Sequence, residues 1–142
     1  MYTILALLSL VYAVAPAHVP VHEALVNFNG VCKCMLGYTA LKYNGYGCWC
    51  GKGGSGTPVD GIDECCMHHD KCYDEALASG ACSSTFWEYI NLYNWACNED
   101  TKTATCTDTT DACNLALCKC DTECVKCWSQ YPKPDSKPKC PK

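Results

Sequence analysis

Apolar residues fall into helical stretches separated by glycine-rich and polar chain. In HEALVNFNGVCKCM, Leu25, Phe28, Val31 with Cys32, and Met35 recur every three or four residues, which places them on one face of a helix. The stretch NGYGCWCGKGGSGTP, Asn44 to Pro58, breaks that period and reads as a glycine-rich loop. Asp60 then stands where a helix N-cap is expected, opening a second helix to about Ser79 with Gly80 as its stop. STFWEYINLYNWACNEDTKTATC is aromatic and polar with β-branched residues near its end, and predicts irregular chain plus a short antiparallel ribbon. Thr110 or Asp111 caps a third helix that runs to about Trp128. No repeat, low-complexity block or linker divides the 142 residues, so one domain is expected.

The first residues, MYTILALLSLVYAVAPA, hold an apolar run from Ile4 to Val14 that is too short to span a bilayer. Small residues at Ala13, or at Ala15 and Ala17, offer cleavage sites, so residues 1–17 read as a signal peptide. The alternative, a buried N-terminal helix, leaves a second apolar face without a partner. Residues 18–23 are then a short propeptide or the mature N-terminal extension, and residues 24–142 the domain. All 16 cysteines follow the leader, which points to a secreted, extracellular chain held by disulfides rather than to a zinc module. Eleven lysines, no arginine and 15 carboxylates give a net charge of −4, which argues against nucleic acid as a partner. Five of the lysines lie from Lys126 to Lys142 in a proline-broken tail that reads as solvated surface.

The two later helices carry cysteines at matching intervals. Cys65 and Cys72 are seven residues apart, as are Cys120 and Cys127, and seven residues is close to two turns. Antiparallel helices would let Cys65 meet Cys127 and Cys72 meet Cys120, although connectivity is not fixed by sequence alone. His69 lies between the two staples on the second helix, and Asp121 lies beside the seam Cys113, Leu117, Cys120, Cys124 and Cys127 on the third. Clamping the helices brings Asp121 close to His69. Such a pair is either a structural polar contact or a carboxylate that holds an imidazole in one tautomer for proton transfer. His68 reads as a solvated neighbour. The loop matches G-x-G-x-x-G at Gly51, Gly53 and Gly56, but no strand precedes it and a dinucleotide fold does not fit. Its glycines instead let main-chain carbonyls turn inward on a hard cation, and a Cys50–Cys66 staple would bring the loop against Asp70 as the charged ligand.

YGCWCGKGGSGTPVDGIDECCMHHDKCY, Tyr46 to Tyr73, together with the later CKCDTECVKCW, resembles the calcium loop and paired helices of the secreted phospholipase A2 family. The resemblance extends from Ala24 to Cys140. It implies a mainly α, disulfide-rich fold: two long antiparallel helices cross-linked by disulfides, an N-terminal helix, a calcium-binding loop and a short β-ribbon. It implies calcium-dependent hydrolysis of the sn-2 ester of glycerophospholipids at a membrane or micelle surface, with one Ca2+ per chain and no obligate protein partner. His69 would be the general base, oriented by Asp121, which Tyr73 and Tyr93 hold in turn. Asp70 and the carbonyls of Trp49, Gly51 and Gly53 would bind the metal, and the Gly51 N–H would help to stabilise the oxyanion. Leu25, Phe28, Tyr43 and Trp128 would line the acyl channel, and Tyr89 would contact phosphate or simply pack. Trp49 replaces the usual tyrosine, which leaves a carbonyl ligand intact, and Lys52 stands at a rim position often apolar in the family. Asp70 is retained, unlike in inactive members, which favours an enzyme over the alternative of a non-catalytic phospholipase-like binding protein or toxin.

The resemblance also implies seven bridges: Cys34–Cys97, Cys48–Cys140, Cys50–Cys66, Cys65–Cys127, Cys72–Cys120, Cys82–Cys113 and Cys106–Cys118. Cys32 and Cys124 are left over, and an eighth bridge between the first and third helices is expected; two buried free thiols are the alternative.

Overall fold

The computed structural model describes residues 22–84 and 92–142; the expected leader, 1–17, and Tyr89 lie outside the described residues. Three helices dominate: α1, His22–Leu36; α2, Gly61–Ala78; and α3, Ala112–Trp128. A 3-10 turn, Ala40–Lys42, follows α1, and a two-stranded antiparallel ribbon, β1 Trp95–Asn98 and β2 Thr103–Cys106, precedes α3. Trp95 pairs with Cys106 and Asn98 with Thr103 in that ribbon.

Aspartates start both long helices. The Asp60 side chain accepts the Asp63 N–H at 3.0 Å and the Asp111 side chain accepts the Asn114 N–H at 2.8 Å, so Asp111 rather than Thr110 is the cap of α3. Each such cap contributes about 1 kcal/mol by satisfying an otherwise orphaned helix donor. Gly80 follows the C-cap Ser79 at φ +77°, a conformation that any other residue would adopt at a cost.

The core forms where one face of each helix meets the others. Val31 and Cys32 of α1 and Leu117, Cys118, Cys124, Val125 and Trp128 of α3 are buried, together with Tyr43 from the chain after the 3-10 turn. The intervals along α3 follow the helical period, so a single stripe is sequestered while Lys119, Glu123 and Lys126 stay in solvent.

Seven disulfides brace this small core: Cys34–Cys97, Cys48–Cys140, Cys50–Cys66, Cys65–Cys127, Cys72–Cys120, Cys82–Cys113 and Cys106–Cys118. Cys65–Cys127 and Cys72–Cys120 are rungs between α2 and α3, each with a Cα–Cα distance of 5.7 Å, and their order makes the helices antiparallel.

Cys32 and Cys124 do not form the expected eighth bridge; both are buried free thiols. Cys124 Sγ points at the Cys65 carbonyl, 3.8 Å away. Burial pushes the Cys32 thiol up to about 12, and burial with the nearby Asp121 charge holds Cys124 well above its ordinary value.

The lysine-bearing tail is also less free than its composition suggests. Lys137 Nζ donates to the carbonyl oxygens of Asn44 at 2.7 Å and Leu41 at 3.4 Å, and the Gly47 N–H donates to Pro138 O at 2.8 Å. With Cys48–Cys140, these contacts strap the C-terminal segment across the start of the glycine-rich loop.

Candidate active site

His69 and Asp121 face each other between the two disulfide rungs. The His69 Nε2 to Asp121 Oδ1 distance is 2.7 Å, and Asp121 has no exposed surface while the imidazole retains 14 %. A carboxylate can only accept, so Nε2 carries the hydrogen and the lone pair of the neutral ring lies on Nδ1. The Tyr73 hydroxyl donates to Asp121 Oδ1 at 2.8 Å and the Tyr93 hydroxyl to Oδ2 at 2.6 Å. Three donors thus hold one buried carboxylate, the arrangement that makes burial of a charge tolerable. Burial first, and then the Asp121 charge, raise both tyrosine pKa values, which keeps the hydroxyls protonated as donors.

The imidazole is fixed on its faces as well. Phe28 stacks on it with ring centroids 4.7 Å apart and planes 5° from parallel, and Tyr73 lies tilted at 4.6 Å. Phe28 also stacks on Trp128, whose ring lies 3.8 Å from that of Tyr43. These aromatic residues therefore form a continuous column starting at His69. Tyr43 and Trp128 sit deep in it, while Leu25 is 37 % exposed at its outer side of α1. The direct support that Phe28 gives to the imidazole is invisible in sequence, where an apolar residue at helical spacing has no stated neighbour.

The pKa of His69 stands at about 9. Burial alone pulls it down, but hydrogen bonding to Asp121 and Asp70 and the negative charge of both outweigh that. Asp70 Oδ1 lies 3.9 Å from Nδ1, on the ring's open edge. His68 is largely exposed and, among the described residues, pairs only with Glu64 at 3.7 Å.

The glycine-rich loop packs against this couple through Cys50–Cys66. Residues 47–53 line an open hollow of about 180 Å³. The loop's carbonyls divide into two sets. Those of Cys48, Cys50 and Gly56 accept from Ser55 N–H, Gly45 N–H and Trp49 Nε1 at 3.4, 2.7 and 3.1 Å. Those of Trp49, Gly51 and Gly53, like those of Lys52, Gly54 and Ser55, accept none of the hydrogen bonds among the described residues. No cluster of three or more His, Cys, Asp or Glu side chains suited to a metal occurs among those residues. A cation here would therefore draw on free main-chain oxygens and the Asp70 carboxylate, a hard all-oxygen set that fits calcium.

One polar residue of this region went unmarked in the sequence. Asp63, fully buried at the third position of α2, accepts the N–H groups of Cys48, Trp49 and Val59 at 2.8, 2.7 and 2.9 Å. Its only signal is its place three residues after the Asp60 cap, where an acidic side chain commonly reaches back toward the cap.

A buried histidine–carboxylate couple beside a loop of unclaimed carbonyls defines a site able to move a proton next to a bound cation. The family model described as Phospholipase A2 matches residues 25–139. The chain is 41% identical over 112 residues to a phospholipase A2 of Ovis aries, covering 77% of this chain and 89% of that one. It is 42% identical over 111 residues to the acidic phospholipase A2 homolog taipoxin gamma chain of Oxyuranus scutellatus scutellatus, covering 76% and 72%. With a phospholipase A2 of Bos taurus it shares 40% identity over 113 residues, covering 78% and 77%. The chain belongs to the phospholipase A2 family.

Proposed function

We propose that this protein is a secreted, calcium-dependent hydrolase of the sn-2 ester of glycerophospholipids, releasing a fatty acid and a lysophospholipid. Family membership makes it a phospholipase A2, a hydrolase of lipid metabolism braced by disulfides. The observation that carries the finer reading is the 2.7 Å contact from His69 Nε2 to Asp121, which leaves Nδ1 as the basic atom on the open edge of the ring.

In this reading a water molecule is held at His69 Nδ1. Nδ1 takes one of its protons as the oxygen attacks the ester carbonyl, and Asp121 stabilises the imidazolium that forms. The C–O bond to the glycerol then breaks, and Nδ1–H returns the proton to the departing alkoxide. Tyr73 and Tyr93 hold Asp121 in its orientation throughout. The Gly51 N–H donates to the developing oxyanion. Asp70 and the carbonyls of Trp49, Gly51 and Gly53 would hold calcium, which supplies charge stabilisation at the ester carbonyl. A cation held by Asp70 would offset that carboxylate's pull on the imidazolium and so favour the neutral ring a base requires.

Lipid surface is the natural location of the substrate. Val26 of α1 and Leu41 of the 3-10 turn expose 58 % and 53 % of their surface, apolar area suited to peripheral contact. No helix among the described residues is long and apolar enough to cross a membrane. Seven disulfides favour an oxidising, extracellular setting.

Vesicles of phospholipid labelled in the sn-2 chain test this reading. Labelled fatty acid and unlabelled lysophospholipid should form with calcium and cease with chelator. Release of the sn-1 chain, or release indifferent to chelation, would overturn it.

A further inference from the structure

Asp63 combines two properties that seldom coexist. It has no exposed surface, and no lysine or histidine of the described residues forms an ion pair with it. A buried unpaired carboxylate is unfavourable unless donors are aimed at it. Here every donor is a main-chain N–H: Trp49 on Oδ1, and Cys48 and Val59 on Oδ2. Helix-dipole complementarity alone would not require this burial, because the exposed Glu64 in the same first turn already supplies it.

The consequence falls on the loop. Asp63 fixes the N–H directions of Cys48 and Trp49, and Tyr46 O fixes that of Cys50 at 3.2 Å. Three successive peptide planes are thereby set. Because a trans peptide holds its carbonyl opposite its N–H, the Trp49 carbonyl points away from the Cys50 donor's partner, Tyr46 O. Gly47 completes the fit: at φ +62°, it leaves room for the Asp63 carboxylate, which a Cβ there would overlap. From the other side, Pro138 O and the Cys48–Cys140 bridge hold the same short stretch.

We propose that Asp63 is a positioning residue that, by fixing the two peptide planes leading into Trp49, presets the Trp49 carbonyl of the 47–53 loop for a divalent cation without touching the cation itself. The proposal rests on the calcium reading of that loop. Replacing Asp63 by asparagine keeps the shape but turns an NH2 group toward peptide N–H groups, leaving at least one of them facing a donor.

The test is calcium titration of purified wild type and Asp63→Asn, followed by calorimetry and by tryptophan fluorescence, since Trp49 lies in the loop. The dissociation constant should rise about 10–100-fold, the range for lost outer supports of metal ligands, with the far-UV circular dichroism at the assay temperature unchanged. A purely structural role would lower the melting temperature and leave the affinity of the folded protein alone. Should Asp63→Asn fail to fold, hydrogen exchange on chelated wild type decides: the Cys48 and Trp49 amides should exchange as slowly as those of α2. Exchange at the rate of open loop, or Asp63→Asn binding calcium as tightly as wild type, overturns the proposal and leaves the calcium reading standing. Wild type that binds no calcium overturns both.

Discussion

The helix couple and the glycine-rich loop solve the same problem, holding reactive atoms still, by opposite means. In the couple the atoms belong to side chains on regular helices, and two disulfide rungs with the same 5.7 Å Cα spacing hold those helices together. In the loop the unclaimed oxygens belong to the main chain, no regular element carries them, and much of the segment is exposed. Order there comes from outside, through Asp63, Cys50–Cys66 and the C-terminal strap. A side-chain site is therefore damaged by changing its own residues, whereas the main-chain oxygens of the loop are disturbed through their supports.

That contrast is open to attack in order of expected effect. Asp121→Asn strikes the couple at its centre: the ring loses its tautomer control, and turnover should fall about 10²–10⁴-fold while calcium affinity stays near that of wild type. Steady-state kinetics with a parallel calcium titration measures both. A lost calcium affinity with retained turnover would merge the two regions.

Disulfide deletions probe the supports. Removing Cys72–Cys120 as a paired alanine variant should destabilise the fold by about 2–5 kcal/mol and reduce turnover, because that rung flanks His69. Removing Cys48–Cys140 should instead raise the calcium concentration needed for half-maximal activity. Denaturant melts and calcium-dependent rates separate the outcomes; identical behaviour of the two variants would contradict the division.

The tyrosines give a finer test. Tyr93 is the donor to Asp121 Oδ2, whereas Oδ1 is shared by Tyr73 and His69. Tyr93→Phe should therefore cost about 1.5–3 kcal/mol of stability, the scale for a hydrogen bond to a charged group, and more than Tyr73→Phe. Equal losses in urea melts would remove the asymmetry.

A further effect is confined to alkaline pH. The Cys32 thiol titrates near 12 when folded against 9.0 unperturbed, so above pH 9 the unfolded chain releases a proton that the folded chain keeps. Stability present below that pH should decline between about 9 and about 12. Urea midpoints across this range should fall less steeply in Cys32→Val than in wild type, and parallel declines would exclude the thiol as a cause.

The same contrast explains what could be read in the sequence. Asp60, Asp111, the paired cysteine intervals and the placing of His69 opposite Asp121 are local or periodic signals, and helical geometry converts them directly into space. Asp63 carries no sequence signal beyond its place in the first turn of α2, because two of its three loop partners lie 14 and 15 residues back in irregular chain. The lysine-rich tail is exposed as its composition suggests, but its anchoring is not legible because Lys137 reaches acceptors more than 90 residues away. Cys32 and Cys124 invited pairing by count, but the orientation of Cys124 toward Cys65 O and the suppression of both thiolates depend on packing that spacing does not encode. Phe28 could be assigned to an apolar face, not to the face of His69.

The central claim, that proton transfer resides in the helix couple and cation binding in the loop, is tested most directly by His69→Gln. Fatty-acid release and tryptophan fluorescence are followed together as free calcium is raised. The account predicts a fluorescence titration like that of wild type with release at the background rate throughout; release climbing to the wild-type plateau would contradict it.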